Sequence, residues 1–175
     1  MPWQRRAVDA PMGFRPFDTV LRVQEYRLDS GNAAIYPGDL VGMAADGTVD
    51  TITETASPIL GAAAGYVAAA AGTTVLVYDH PNQLFIVQDD SATTAMTAMS
   101  EGTTADVVMT TGSTTTFQSL QEIDSDLVNA GTKAIKVHRL APCEAGSYAS
   151  AVANQRRWVV SINPRFHQYA TQSGV

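Results

Sequence analysis

The sequence predicts a mainly β protein, and three observations support this fold class. Short runs of β-branched and aromatic residues recur along the chain, as in Thr73–Tyr78. Turn residues separate these runs at near-regular spacing, for example at Asp46-Gly47 and His80-Pro81-Asn82. Only two short stretches have the apolar spacing of a helix. We therefore expect a small β-barrel domain with an extended N-terminal arm and one or two short helices.

Five strands are expected in the segment from Tyr36 to Gln88, which forms the centre of the predicted fold. They are Leu40–Met43, Thr48–Ile52, Ile59–Val67, Thr73–Tyr78 and Leu84–Gln88. Pro37-Gly38-Asp39 predicts a turn before the first strand, and Asp46-Gly47 predicts a type I′ hairpin after it, because both central residues of that turn need a positive φ. The small residues of Ile59–Val67 favour a strand that another backbone, or a partner subunit, approaches closely. Five short strands at this spacing predict a closed or nearly closed barrel.

The domain limits follow from composition. Residues 1–18 are expected to form an arm, because their prolines and a glycine oppose both a helix and a strand ladder. Residues 19–165 are the barrel-type domain, with a Thr/Gly/Ser-rich insertion near 100–116, and residues 166–175 are a polar tail. Thr19–Leu28 alternates imperfectly, which is typical of an edge strand or of a strand half covered by a partner.

Past Gln88 the sequence pattern is mixed. A short helix is predicted over Thr93–Met99, where Met96 and Met99 form a small core stripe, and a helical turn is predicted within 117–128. Two late strands, Lys133–Leu140 and Arg156–Asn163, are expected to pair with each other.

Composition favours a chain that packs against other subunits. Only 16% of the residues are charged, compared with about 25% in an average domain, and Thr, Ser and Ala are abundant. A Thr-rich surface on a free monomer is the alternative. The formal net charge of −6 opposes general nucleic-acid binding, since neutralising phosphates needs a basic surface. We expect no signal peptide and no membrane-spanning segment, because no apolar run follows residues 1–6 and no stretch has about 20 apolar residues. Cys143 is the only cysteine, so we also expect no intramolecular disulfide and no thiolate zinc site.

No arrangement typical of an enzyme is found in the sequence. The candidate catalytic groups are scattered: His80, His138, His167, Asp79 and Asp89. Nucleophile-elbow, phosphate-loop and dinucleotide motifs are absent from the sequence. The acidic run 122–126 lacks the glycine and glutamate of a calcium loop and is more typical of a solvated turn. We predict no catalytic residue, no metal site and no cofactor; a hydrolase using Asp79 and Asp89 is the enzyme alternative.

The arm carries aromatic and basic side chains that are candidate contact residues. They are Trp3, Arg5, Arg6, Phe14, Arg15 and Phe17. Large apolar side chains on a segment that cannot fold alone must pack against something. Two alternatives remain open: they cover the edge of their own domain, or they dock on a neighbouring subunit.

Several motifs together resemble the capsid cement, or decoration, proteins of tailed bacteriophages. They are PGDLVG at 37–42, DGTV at 46–49, ILGAAAGYV at 59–67, AGTTVLVYDHPNQLFIVQ at 71–88, TADVV at 104–108 and RRWVVSIN at 156–163. The resemblance implies a protein made in the host cytoplasm that binds the outer surface of the major capsid lattice and stabilises the expanded head. It also implies a β-barrel or β-tulip-like domain and a homo-oligomer, a trimer or else a dimer, with an arm that adds a strand to a capsid subunit or to a neighbour. From the acidic net charge and the lack of a long apolar run we expect no nucleic-acid and no membrane partner.

A second function remains open, a host-surface or carbohydrate-binding module displayed on the virion. Its sugar-stacking surface would be formed by Trp158, Tyr66, Tyr78 and Tyr148. The alternative for these aromatic residues is a place in the core or in an interface.

Overall fold

The computed structural model describes residues 9–29, 31, 33–53, 57–70, 72–90, 96, 100–125, 133–142 and 156–170. Within these residues the fold is mainly β, as predicted. The strands are β1 Arg15–Pro16, β2 Gln24–Arg27, β3 Leu40–Met43, β4 Val49–Thr51, β5 Gly61–Ala63, β6 Thr74–Tyr78, β7 Leu84–Gln88, β8 Thr104–Ala105, β9 Val107–Val108, β10 Glu122–Ile123, β11 Ile135–Leu140 and β12 Arg157–Ile162. Across the described residues, no helix is long and apolar enough to cross a membrane.

The strands form two five-stranded antiparallel sheets and a small ribbon. Sheet 1 has the order β1-β7-β12-β11-β8, and sheet 2 has the order β2-β6-β5-β3-β4. The ribbon pairs β9 with β10. The predicted pairing of the two late strands is confirmed, because β11 runs antiparallel to β12.

The chain passes from sheet 2 to sheet 1 between β6 and β7. A turn closes there, with the backbone N–H of Gln83 donating to the carbonyl of His80 at 2.9 Å. The strand β7 then pairs with β12 in sheet 1, and β2 pairs with the free side of β6 in sheet 2. The five strands between Tyr36 and Gln88 are therefore divided between two sheets.

The described strands do not form the predicted closed barrel. Sheet 2 curls until Leu28, which follows β2, makes one isolated bridge to Val49 of β4. The backbone N–H of Asp29 donates to Val49 O at 3.2 Å beside it. Sheet 1 keeps separate edges at β1 and β8. Because β7 leaves sheet 2, the expected five-stranded closure is replaced by two open sheets.

Two apolar clusters lie on opposite faces of sheet 2. The main core lies between the sheets and contains Leu40, Ala62 and the fully buried Trp158. The second cluster fills the concave side of sheet 2 and contains Val41 and Ala63. Successive residues of β3 and β5 thus enter different clusters, as the period-two alternation of a strand requires.

Gly61 of β5 confirms the expected close approach of another backbone. A Cβ at this position would lie 2.1 Å from the carbonyl oxygen of Tyr78 on β6. The approaching backbone belongs to the neighbouring strand of the same sheet, since β5 and β6 are paired. The small side chain is therefore required by packing within sheet 2.

The Ala44–Thr48 hairpin forms as predicted, but its turn type differs. Gly47 has a φ of +80°, whereas Asp46 does not have a positive φ. Gly47 N donates to Ala44 O at 3.0 Å, and Ala44 N donates to Thr48 O at 2.8 Å. Only one left-handed residue is needed, so this is a three-residue loop with a glycine bulge, and the prediction of a type I′ turn is wrong.

The helical turn predicted within 117–128 is also wrong over its described part. Ser119, Gln121, Ile123 and Ser125 are buried in alternation with half-buried residues, which is the pattern of an extended strand. Glu122 pairs with Val108 in the ribbon. Of the predicted helix Thr93–Met99, only Met96 lies within the described residues, and it is buried in the main core as expected.

A bulge interrupts the alternation of buried and exposed residues in β11. The pairing with β12 shifts register between Val137 and Arg139. As a result Ile135, Val137 and Leu140 are buried, whereas simple alternation placed Leu140 on the opposite face. The extra residue of a bulge reverses the alternation beyond it.

Candidate interaction surface

The edge of sheet 2 at β2 exposes large aliphatic side chains. Four aliphatic residues are exposed on or near this edge, three on the approach to β2 and one on its partner strand β6: Val20, Leu21, Val23 and Leu76, with exposed fractions of 48%, 48%, 40% and 51%. We call these four residues the apolar edge strip. An exposed apolar edge is a surface to which another chain can pair.

The backbone of the strip is held by a buried amide. Gln83, which is 1% exposed, accepts a hydrogen bond from Leu21 N at 2.9 Å through Oε1. Its Nε2 donates to Thr19 O at 3.1 Å and to Leu84 O at 2.8 Å. The approach to β2 is thereby fixed to the turn that joins the two sheets, although it lies outside the strand ladder.

A buried carboxylate holds the same segment from the other side. Asp79 is fully buried, and Arg22 donates to its Oδ1 from Nε at 2.6 Å and to its backbone carbonyl at 3.0 Å. The hydroxyl of Tyr26 donates to Asp79 Oδ2. Burial, followed by this hydrogen bond, raises the pKa of Tyr26, so its hydroxyl keeps its proton and acts as a donor.

The C-terminal turn joins this polar cluster. The hydroxyl of Tyr169 lies 2.9 Å from that of Tyr26, and the Arg22 guanidinium lies 4.9 Å from the Tyr169 ring centroid. His167 is fully buried, and its Nδ1 accepts a hydrogen bond from Tyr169 N at 3.1 Å. Desolvation lowers the pKa of His167 to about 4, so its ring is neutral near pH 7. The cluster therefore orders the edge.

The predicted contact residues fall in three places. Trp3, Arg5 and Arg6 lie outside the described residues. Phe14 is fully buried in the main core, with its ring edge-on to that of Phe85 at 6.2 Å.

Arg15 and Phe17 are half-buried at the β1 edge of sheet 1. Arg15 pairs with Ile86 and donates from Nε to Met12 O at 3.0 Å. The guanidinium of Arg139 lies 5.6 Å from the Phe17 ring centroid. The described part of the arm thus packs on its own domain. This is the first of the two alternatives, in which the arm covers the edge of its own domain and does not dock on a neighbouring subunit.

Of the candidate catalytic groups, Asp79 and His80 lie near enough to His167 for their charges to affect its pKa, whereas Asp89 and His138 have partners elsewhere. Asp89 is buried and accepts hydrogen bonds from Arg156 N at 2.6 Å and from Trp158 Nε1 at 3.1 Å. His138 Nε2 lies 2.8 Å from Ser161 Oγ on the neighbouring strand. The described part of the chain holds no group of three His, Cys, Asp or Glu residues that could bind a metal ion.

The sugar-stacking surface considered from the sequence is not assembled from its four residues. Trp158 is fully buried, Tyr78 packs against the main core, and Tyr148 lies outside the described residues. Among the three of these residues that the structure describes, only Tyr66 is exposed. The indole of Trp158 serves as a hydrogen-bond donor to buried Asp89, which explains its place inside the core.

Comparison of the chain with protein-family models gives no match, and a search of curated proteins gives none either.

Proposed function

We propose that this chain is a structural virion protein that binds the outside of a phage major capsid lattice and stabilises the expanded head. The apolar edge strip is the observation that carries the proposal, because it is an ordered sheet edge with large aliphatic side chains exposed. The low fraction of charged residues supports burial of such a surface in an assembly. The resemblance of the motifs to capsid cement proteins supplies the identity of the partner.

The proposed occupant of the strip is an extended segment of the major capsid protein. Strand β2 pairs with β6 through Gln24–Arg27, and its other side lies at the edge of sheet 2. An added strand would gain main-chain hydrogen bonds there and would cover the strip with its side chains. Glu25 and Arg27, which are exposed on β2, lie beside the strip and would set the register through charge.

Stabilisation of the head would follow from mass action. A protein that binds only the assembled shell stabilises the shell by its binding free energy. Repetition over the lattice lets many modest contacts add up, and self-association into trimers, or else dimers, would raise the avidity further. No bond is made or broken, so the proposed role needs no catalytic group.

The test compares two matched variants of the full chain in a sedimentation assay with expanded heads of the same phage. Leu76→Asp places a charge on the strip, whereas Phe117→Asp places one on a residue of equal exposure elsewhere, at 50% compared with 51%. Leu76→Asp should lower the affinity for heads at least about tenfold, as expected for an interface residue that contributes about 1.4 kcal/mol or more. Phe117→Asp should bind like the parent chain.

Equal binding by both variants, or no binding of the parent chain to heads, would contradict the proposal. The mass of the free protein in solution, measured beside its copy number on heads, tests the proposed oligomer. The arm is tested separately by deleting residues 2–8. A longer deletion through Phe17 would also remove Phe14 from the core and β1 from sheet 1, and would confuse lost binding with lost folding.

A further inference from the structure

A cleft opens beside the turn at the start of β3. It has a volume of about 160 Å³, which is room for roughly five water molecules at about 30 Å³ each. Threonines 51, 53, 110 and 111 line it together with Ala33, Ala34, Asp39, Ile52, Met109, Gly112 and Gln121. Threonine hydroxyls both donate and accept hydrogen bonds, so this lining suits a ligand that carries several hydroxyl groups.

Asp39, which lines the cleft, has one buried carboxylate oxygen with spare hydrogen-bonding capacity. Asp39 is 3% exposed, and its Oδ2 accepts a hydrogen bond from Tyr36 N at 2.8 Å. Its Oδ1 makes no hydrogen bond of normal geometry to any described residue. The Ser119 hydroxyl lies near enough to this carboxylate to act against the rise in its pKa. Burial nevertheless raises the pKa of Asp39. A buried acceptor without a donor is costly, so Oδ1 favours a ligand that brings one.

An exposed aromatic pair lies next to this cleft. Tyr66 and Phe117 are 42% and 50% exposed, and their ring centroids are 5.0 Å apart in an edge-to-face arrangement. Phe117 has a φ of +53°, which is an uncommon conformation for a bulky residue. Phe117 N donates to Ser113 O at 2.8 Å, and this bond closes the turn that carries the ring.

Tyr36 connects the cleft with the aromatic pair, because it contacts one residue of each. Tyr36 is buried, and its ring lies 5.3 Å from that of Tyr66. On its other side the Tyr36 ring packs against Gly112, where a Cβ would fall 2.2 Å from Tyr36 Cδ2. Gly112 lines the cleft, and the loop that begins there carries Phe117 five residues later. One ligand can therefore contact both features if it has more than one ring.

We propose that this surface is a binding site for a neutral oligosaccharide, with one sugar ring on Tyr66 and Phe117 and the hydroxyls of the next ring in the cleft against Asp39. Sugar rings combine an apolar C–H face, which stacks on aromatic side chains, with hydroxyls that donate to carboxylates. A lone metal ion fits less well, because Asp39 is the only carboxylate among the described residues that line the cleft.

The test is a titration of the full ¹⁵N-labelled chain with two neutral trisaccharides, maltotriose and chitotriose, followed by NMR. At least one should shift the backbone amides of Tyr66, Gly112 and Phe117 in a saturable way. Asp39→Asn should weaken that binding about 10- to 100-fold, because the amide keeps the bond from Tyr36 N but places a donor at the position of Oδ1. Tyr66→Ala and Phe117→Ala should each weaken it about 3- to 10-fold.

Tyr169→Ala is the matched control, because Tyr169 is equally exposed, at 48%, and lies outside this surface. It should bind like the parent chain, and so should Leu76→Asp, which separates this site from the apolar edge strip. No saturable shift with either trisaccharide overturns the proposal. Equal binding by Asp39→Asn and the parent chain, or the same amide shifts with glycerol at equal hydroxyl concentration, overturns it as well.

Discussion

Arg22 and Asp79 form an ion pair in which only one partner reaches solvent. The Arg22 side chain is 35% exposed and that of Asp79 is fully buried, with 2.6 Å between Nε and Oδ1. The hydrogen bond to Asp79 raises the pKa of Arg22, which therefore stays charged. A buried carboxylate without its donors is strongly destabilising, so this pair fixes the approach to β2 and the apolar edge strip in position.

Removing the tyrosine donor to Asp79 should destabilise the fold. Tyr26→Phe leaves Oδ2 without the bond from the Tyr26 hydroxyl. We expect the free energy of unfolding to fall by about 1–3 kcal/mol, measured by urea denaturation. Tyr66→Phe is the control, because it removes a tyrosine hydroxyl from an exposed residue, and it should change stability by less than about 0.5 kcal/mol. Equal stability of the two variants would show that Asp79 does not need this donor.

Gly61→Ala should disturb the pairing of β5 with β6. The added Cβ would lie 2.1 Å from Tyr78 O, so one strand must move. Overpacking of this kind costs about 1–3 kcal/mol or more, which thermal unfolding would detect. Gly65→Ala is the matched control, since nothing lies within 4 Å of its Cβ and its φ is not positive. If Gly61→Ala were as stable as Gly65→Ala, the close approach would not constrain the sequence.

His167 should make the protein less stable in acid. Its pKa is lowered from 6.5 to about 4 by burial, so the unfolded chain binds the proton more readily than the folded protein. The resulting stabilisation is fully present above pH 6.5 and is lost as the pH falls towards 4, by at most about 3 kcal/mol.

His167→Asn keeps an acceptor for Tyr169 N but does not titrate. The variant should be less stable at pH 7, because it loses buried ring contacts, yet its stability should change less between pH 6.5 and 4. Urea denaturation at several pH values gives both quantities. An unchanged pH dependence would assign the acid sensitivity to other groups.

Glu122 should favour the folded state in acid, which is opposite to the effect of His167. Burial, followed by the charge of Asp9, raises its pKa from 4.5 to about 7. The folded protein binds this proton more tightly, so the contribution favours folding below pH 4.5 and is lost as the pH rises through about 7. Glu122→Gln keeps an acceptor for Gln88 Nε2 and should raise the melting temperature at pH 8 more than at pH 4.5. Glu25→Gln, at an exposed position of β2, should show no such difference.

The strands that carry their own local signals could be predicted from the sequence. Thr74–Tyr78 has the β-branched and aromatic residues of a strand. Gly47 supplies the left-handed residue of the hairpin between β3 and β4. The number of left-handed residues in that turn depends on the register of β3 and β4, which no local signal sets. The division into two sheets also depends on long-range pairing, because β7 finds its partner in β12, about seventy residues later.

The extended segment 119–125, which contains β10, could not be predicted because three of its four buried positions are polar. Gln121 faces inward and accepts a hydrogen bond from Leu40 N at 2.9 Å, so it replaces a backbone partner. Ser119 Oγ accepts one from Gln121 N at 3.1 Å. The apolar residues Leu120 and Ile123 are three apart, which is a helical spacing, and the true period of two is visible only in polar side chains.

The candidate surface was partly visible in the sequence. The imperfect alternation of Thr19–Leu28 indicated an edge strand, and the structure places β2 at an edge. Leu76 could not be assigned to this surface, because it lies within the strong strand β6 and only the pairing opposite Glu25 brings it there. The burial of Phe14 depends equally on a distant residue, Phe85.

The turn between β6 and β7 has a mechanical consequence. Asp79 and Gln83, at its two ends, hold the segment that carries the apolar edge strip. A force applied to that segment is therefore transmitted to the junction of the two sheets through these side-chain bonds, before the pairing of β2 with β6 has to break. In the proposed role on a shell under internal pressure, tension on this segment would therefore be shared by both sheets.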